Sequence, residues 1–145
     1  MFQDLPEARR TTSRLRTTAC TAYQRTAAIG ATVAGRDLRA APGLSVKLSA
    51  LHPRYEESQR DRVLRALGPA VAALAREAKA AGIGLTVDAE EAERLDLSLD
   101  LVAALAGNPA LAGWDGLGLA VQAYQKRALA LLDCSPRLPV AQGGA

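Results

Sequence analysis

Leu44-Ser-Val-Lys47, Leu85-Thr-Val-Asp88 and Leu117-Gly-Leu-Ala-Val-Gln122 are short apolar runs that each stop on a polar residue, and the stops share one register. Strand side chains alternate between faces, so Ser45, Lys47 and Ser49 share a side, as do Gly84, Thr86 and Asp88, and Gly118, Ala120 and Gln122. The opposite sides carry Leu44, Val46 and Leu48, then Leu85 and Val87, then Leu117, Leu119 and Val121. One face is small or polar and ends in a chemically capable group, while the other is apolar enough to lie under helices. In a barrel of parallel strands wrapped by helices, active sites collect at the C-terminal ends of the strands. Lys47, Asp88 and Gln122 stand where such a site is built.

The intervening sequence is helical in pattern. Val63, Leu67, Val71, Leu74 and Ala78 recur at helical spacing, with Arg60, Arg65, Arg76 and Lys79 elsewhere on the surface. Pro69 is expected to bend this helix or to mark a restart, and Gly82 to stop it. A third helical stretch is expected from Glu90 to Ala106, with Leu95, Leu99, Val102 and Leu105 as its stripe and Gly107-Asn-Pro109 closing it. Lys126 to Leu132 begins another helix, and Glu7 to Ala34, with Leu15, Ala19, Ala22, Tyr23 and Ile29 loosely on one side, makes a first. Strands separated by helices of this length call for parallel pairing through crossovers. Lys47 to Asp88 is 41 positions and Asp88 to Gln122 is 34, each matching a strand–helix unit of about 30 residues or more. The fold class is therefore α/β, with about three parallel strands, intervening helices and an N-terminal helix. That order alone does not separate a barrel from an open doubly wound sheet. No Gly-x-Gly-x-x-Gly follows a strand, which removes the usual dinucleotide fingerprint.

At 145 residues the chain is one domain's worth, and 49% hydrophobic residues suffice for a core that, with 3% aromatics, must be mostly Ala, Leu and Val. Arg9, Arg10, Arg14, Arg16, Arg25 and Arg36 fall in a stretch from Ala8 without a single acid. It has no aromatic interleaving or nucleic-acid-binding motif, so a solvated helix face is the better reading than a nucleic-acid surface. Its Ser and Thr content resembles a transit peptide, against which Asp4 and Glu7 weigh. No apolar run approaches the ~20 residues of a membrane span. Cys20 and Cys134 lie in no metal-ligand or redox spacing and are expected as reduced thiols of a cytoplasmic protein. His52 is the only histidine, so no histidine-based metal cluster is expected, and a loop-structuring role suits it better than catalysis.

Three longer strings add a specific signal: Pro42-Gly-Leu-Ser-Val-Lys-Leu-Ser-Ala-Leu-His-Pro-Arg-Tyr55, Ile83-Gly-Leu-Thr-Val-Asp-Ala-Glu-Glu-Ala-Glu-Arg-Leu-Asp-Leu-Ser-Leu-Asp100 and Gly113-Trp-Asp-Gly-Leu-Gly-Leu-Ala-Val-Gln-Ala-Tyr-Gln-Lys-Arg127. Together they closely resemble the proline dehydrogenase domain of the bacterial bifunctional proline utilization A flavoenzymes, strongly over Gly35 to Arg127. The resemblance implies the N-terminal part of a TIM-type (βα)8 barrel that holds FAD, oxidises L-proline to pyrroline-5-carboxylate and passes electrons to a quinone, with peripheral membrane association of the full-length enzyme. By the same resemblance Lys47 helps hold the substrate carboxylate, and Asp88 lies beside substrate and flavin with Ala89 next to the cofactor. Gln122 hydrogen-bonds the isoalloxazine, and the Ala120-Val121 backbone lines that wall.

Such a barrel takes about 250 residues, and the family's fourth strand, phosphate-binding loops and late arginine-bearing helix have no counterpart here. The expected organisation is an N-terminal helical segment over 1–35, an incomplete barrel over 36–132 and an irregular tail over 133–145. Such a fragment is expected to be inactive alone and to bind FAD poorly. Other readings stay open at this point. Asp88 opens Asp-Ala-Glu-Glu and suits a helix N-cap, and Gln122 suits a satisfied interior amide. Glu90, Glu91, Glu93, Asp96 and Asp100 suit a solvated helix face, and Tyr124 and Arg127 are candidates for shaping the site. Lys47 suits a Schiff-base enzyme if burial lowers its pKa, and a non-catalytic remnant of a disrupted gene is the third possibility.

Overall fold

A computed structural model describes residues 21–22, 24–33, 37–88 and 90–134. The arginines Arg9 to Arg16, Cys20, Tyr23, Ala89, and the tail from residue 135 onward lie outside the described residues. Helical residues 21–22 and 24–33 form α1. After it come β1 (Leu44–Lys47), a single helical turn α2 (Leu48–Leu51), α3 (Arg60–Ala80), β2 (Leu85–Asp88), α4 (Leu95–Ala106), β3 (Leu117–Ala120) and α5 (Ala128–Cys134).

The three strands pair in parallel in the order β1-β2-β3. Their ladder rows are Leu44–Leu85–Leu117, Ser45–Thr86–Gly118, Val46–Val87–Leu119 and Lys47–Asp88–Ala120. Alternation across this ladder decides which face is covered. Val46, Leu85, Val87, Leu117 and Leu119 are buried, whereas on the other face Ser45 and Lys47 are exposed, Thr86, Asp88 and Ala120 half-buried, and only Gly118 is buried. Among the described residues β1 and β3 are each paired along one side only.

Both crossover helices serve the covered face. The helical stripe Val63, Leu67, Val71, Leu74 and Ala78 of α3 is buried as its spacing predicts, and it shares one apolar core with the strands and with Leu97, Leu101, Val102 and Leu105 of α4. Each fully buried Val or Leu there contributes about 1.5–3 kcal/mol. Because α3 and α4 pack on each other as well as on that core, they lie on the same side of a sheet whose strand order follows the sequence. A doubly wound sheet places helices on both faces, so the described residues form part of a TIM-type barrel. Val33 of α1 joins the same core, and Gly30 brings α1 so close to α3's end that an added Cβ would lie 2.7 Å from the Ala81 Cβ.

The end of α3 shows why it stops. Gly82 adopts φ +69°, the Ile83 N–H reaches back to the Ala78 carbonyl (3.1 Å) and the Gly82 N–H to that of Lys79 (3.1 Å). This is the Schellman pattern, with Ile83 and Ala78 in the accompanying apolar positions.

The structure departs from the sequence-based expectations in four places. Pro69 marks no restart, since α3 runs 21 residues through it; Pro69 is exposed, and the preceding Gly68 has no Cβ to clash with the proline ring. Leu48 is buried as part of α2 and does not extend β1. The helix expected from Glu90 begins at Leu95, after a 3-10 turn at Ala92–Arg94, and buries Leu97 and Leu101 while Leu99 is only half-buried. The strand expected to reach Gln122 ends at Ala120, and α5 runs on to Cys134.

Replacing Pro69 with Ala restores a backbone N–H for the Arg65 carbonyl on an exposed turn and should raise stability by about 1–3 kcal/mol. Gly82→Ala forces a side chain into the left-handed region and should lower it by about 1–2 kcal/mol. Urea unfolding of the two variants against the parent checks both signs.

Candidate active site at the C-terminal edge of the sheet

Lys47 and Asp88 are the last ladder pair of β1 and β2, and they project from the face that the helices leave uncovered. Lys47 is exposed, and no ion-pair partner for its ammonium exists among the described residues. Asp88 is held from one side: the Ser45 hydroxyl, two ladder rows below on the same face, donates to its Oδ1 at 2.6 Å. Asp88 does not cap the following helix. The residue preceding the 3-10 turn is Glu91, and no side chain caps that turn. The carboxylate faces the open side of the sheet instead.

β3 completes the wall with almost no side chain. Gly118 is opposite Thr86 and Ala120 opposite Asp88, so a low surface lies beside the charged pair. Gln122 is not on the strand. It lies two residues past it, half-buried, and its carbonyl accepts the Gln125 N–H of a turn at 3.0 Å. The ladder therefore aligns Lys47, Asp88 and Ala120 in one row and places Gln122 in the loop above that row. Ala89 falls outside the described residues.

The loops that leave the strands are tied to one another. Glu90, expected on a solvated helix face, has a side chain only 8% exposed. Its Oε1 accepts from the Ser49 hydroxyl at 2.5 Å and from the Ser49 N–H at 3.4 Å, and its Oε2 lies 3.4 Å from an Arg94 Nη. The Arg94 guanidinium lies over the Tyr55 ring at 5.9 Å. The Tyr55 hydroxyl is 2.7 Å from Ser98 Oγ, which itself donates to the Arg94 carbonyl, so Tyr55 is the donor of that pair. Burial holds the Tyr55 hydroxyl above its usual pKa, in keeping with that donor role. Farther along the edge, Arg127 in the loop after β3 reaches Asp96 on the first turn of α4 at 3.0 Å, while Tyr124 stands 80% exposed and touches none of this.

Glu90 and Ser49 were legible in one respect. With Ser45 opposite Thr86 and Lys47 opposite Asp88, the next row of the same parity is Ser49 and Glu90. Their side chains meet although the backbone has left strand conformation.

His52, which follows α2, is buried, and its Nδ1 accepts the Arg54 N–H at 3.3 Å. Burial, aided by the charge of Arg62, lowers its pKa. Among the described residues no three His, Cys, Asp or Glu side chains gather as a metal-binding group, and no helix is long and apolar enough to cross a membrane.

The family description "proline dehydrogenase" matches residues 2–139. The bifunctional protein PutA of Salmonella typhimurium strain LT2 is 51% identical over 106 residues, covering 73% of this chain and 8% of that protein. That of Rhizobium meliloti is 54% identical over 99 residues, covering 68% and 8%. Among solved structures, Bradyrhizobium japonicum proline utilization A superposes with a TM-score of 0.80 at 50% identity, over 83% of this chain and 12% of that one. The Bdellovibrio bacteriovorus protein superposes at 0.73 with 16% identity over 84% and 14%, a likeness of fold alone. The chain thus spans 8% of the length of the curated relatives it matches.

The state of His52 has a consequence for stability. A histidine held neutral by burial takes up its proton more readily once unfolded, so it leaves stability untouched above its ordinary pKa of about 6.5 and erodes it as pH falls below that value. Urea midpoints should fall between pH 7.5 and 5.0, and less steeply in His52→Asn, whose Oδ1 still accepts the Arg54 N–H. Equal slopes in both proteins would refute the assignment.

Proposed function

The chain belongs to the proline dehydrogenase family, and from that membership we propose that it supplies the first part of a flavin-dependent barrel that oxidises L-proline to pyrroline-5-carboxylate. The observation that carries the reading is the in-register pair of Lys47 and Asp88, on the face the helices leave uncovered, beside buried Gly118 and half-buried Ala120, which put almost no side chain there. A planar heterocycle needs a surface without protruding side chains, and a zwitterionic amino acid needs a cation and an anion a few ångströms apart. The residues present fit both demands.

In this reading Lys47 donates charge-assisted hydrogen bonds to the proline carboxylate. Asp88, oriented by Ser45, attracts the substrate amine and keeps the negative charge at a defined place. Gln122 offers a donor and an acceptor from one amide, suited to the polar edge of a flavin, and Ala89 and Ala120 leave room beside it. A flavin held there would supply the hydride-accepting capacity that no side chain has. By family, a quinone would be the eventual acceptor, with the complete assembly at the membrane surface and the chain itself in the cytoplasm. An aldolase-type Schiff base at Lys47 draws on burial of the amine, whereas this lysine is exposed.

The three described strands give one part of a barrel wall, so this polypeptide alone should perturb the FAD spectrum little; tight stoichiometric binding would overturn that expectation. Catalytic roles are tested by placing residues 36–127 into the matching segment of the Salmonella relative and assaying proline-dependent dye reduction. In that chimera Lys47→Met should raise KM for proline about tenfold or more, as loss of a charge-assisted bond implies, and Asp88→Asn should lower kcat. A flavin-loaded chimera in which both substitutions leave kcat and KM unchanged would sink the proposal.

A further inference from the structure

Beyond the residues assigned to substrate and cofactor, the loop network contains a buried acid with no part in that chemistry. We propose that Glu90 is a positioning residue, a clasp between the loops after β1 and β2 that holds Lys47 opposite Asp88. The role of those two side chains rests on the reading above; the clasp itself does not.

The argument begins with strand length. β1 and β2 have four residues each, and Lys47–Asp88 is their last ladder pair. The terminal pair of a short ladder opens most readily, since nothing beyond it is paired. Immediately past Lys47 the chain enters α2, whose N-terminus has no side-chain cap, so the Ser49 N–H is one of the donors a helix start leaves unsatisfied. Glu90 answers that need from the other strand's exit, taking both the N–H and the hydroxyl of Ser49. The acid is in turn anchored from behind by Arg94, and Arg94 by the ring of buried Tyr55. Neighbouring Glu91 and Glu93 are exposed; Glu91 shares the Arg94 guanidinium at 3.1 Å, but of the three acids only Glu90 reaches Ser49. A buried carboxylate is unfavourable unless donors surround it, and here the donors come from both loops, which ties the compensation to their separation.

The test uses the 145-residue chain, labelled with 15N, and variants Glu90→Gln, Ser49→Ala, Ser49→Thr and the double variant Glu90→Gln/Ser49→Ala. Amide exchange at Lys47 to Ser49 and at Val87 and Asp88 should accelerate about tenfold or more in Glu90→Gln and in Ser49→Ala, with the core amides of α3 unchanged. The double variant should exceed either single change by little, because one interaction is removed twice. Ser49→Thr, which keeps both donors, should retain the parent's protection. The 13C-methylated Lys47 signal, identified by its loss in Lys47→Arg, should shift in Glu90→Gln and Ser49→Ala and stay in place in Ser49→Thr. Acceleration by the same factor throughout α3, or an unmoved Lys47 signal, would overturn the proposal. If Glu90→Gln does not fold, Ser49→Ala, which leaves the Glu90–Arg94 pair intact, decides by the same readouts. Neither measurement involves FAD or proline, so a failure here is separate from a failure of the catalytic reading.

Discussion

Because β1, β2 and β3 pair in parallel without stagger, side-chain parity is common property of the sheet. Every odd row is apolar and every even row is small or polar, so a single pairing register sends the whole apolar set toward the helices and the whole polar set the other way. A slip of one residue would invert both faces at once. The helices stabilise that register because α3 and α4 share one core with the apolar rows. The polar rows contribute little to cohesion and are free to carry chemistry.

Ionic and polar contacts act where the ladder gives out. Inside the sheet, backbone bonds and buried aliphatic side chains suffice. At the C-terminal edge the strands diverge into loops, and there Ser49–Glu90–Arg94 and Asp96–Arg127 take over. These pairs differ in kind. Arg127 and Asp96 are exposed and worth little individually, whereas Glu90 is enclosed and its donors are fixed by core residues. The edge consequently has an enclosed tie between β1 and β2 and only an exposed one toward β3.

What was readable in the sequence followed from periodicity. The Val63–Ala78 stripe, the stop at Gly82 and the three parallel strands all express repeat lengths or backbone constraints that leave a local mark. The structure departs from periodicity where an element ends although its residues still fit the pattern. Leu48 and Gln122 fit strand parity, yet the chain turns at Lys47 and Ala120. Asp88 fits an N-cap, but the helix starts several residues later, because a chain leaving a strand needs length to reverse direction. Glu90 fits an exposed acidic run, and only the juxtaposition of Ser49 and Arg94, from different segments, makes it an interior group. Partners 41 positions apart leave no local signature.

Among the described residues β1 and β3 are each hydrogen-bonded along one side only, which bears on how this polypeptide behaves in concentrated solution. Their outward N–H and C=O groups are a template for any extended segment of the right parity. A barrel closes by satisfying such groups with its own later strands; without that closure the same groups recruit whatever strand is at hand. Colloidal behaviour during expression and purification is therefore governed by what seals the outer sides of β1 and β3, independently of how well the helices cover the core.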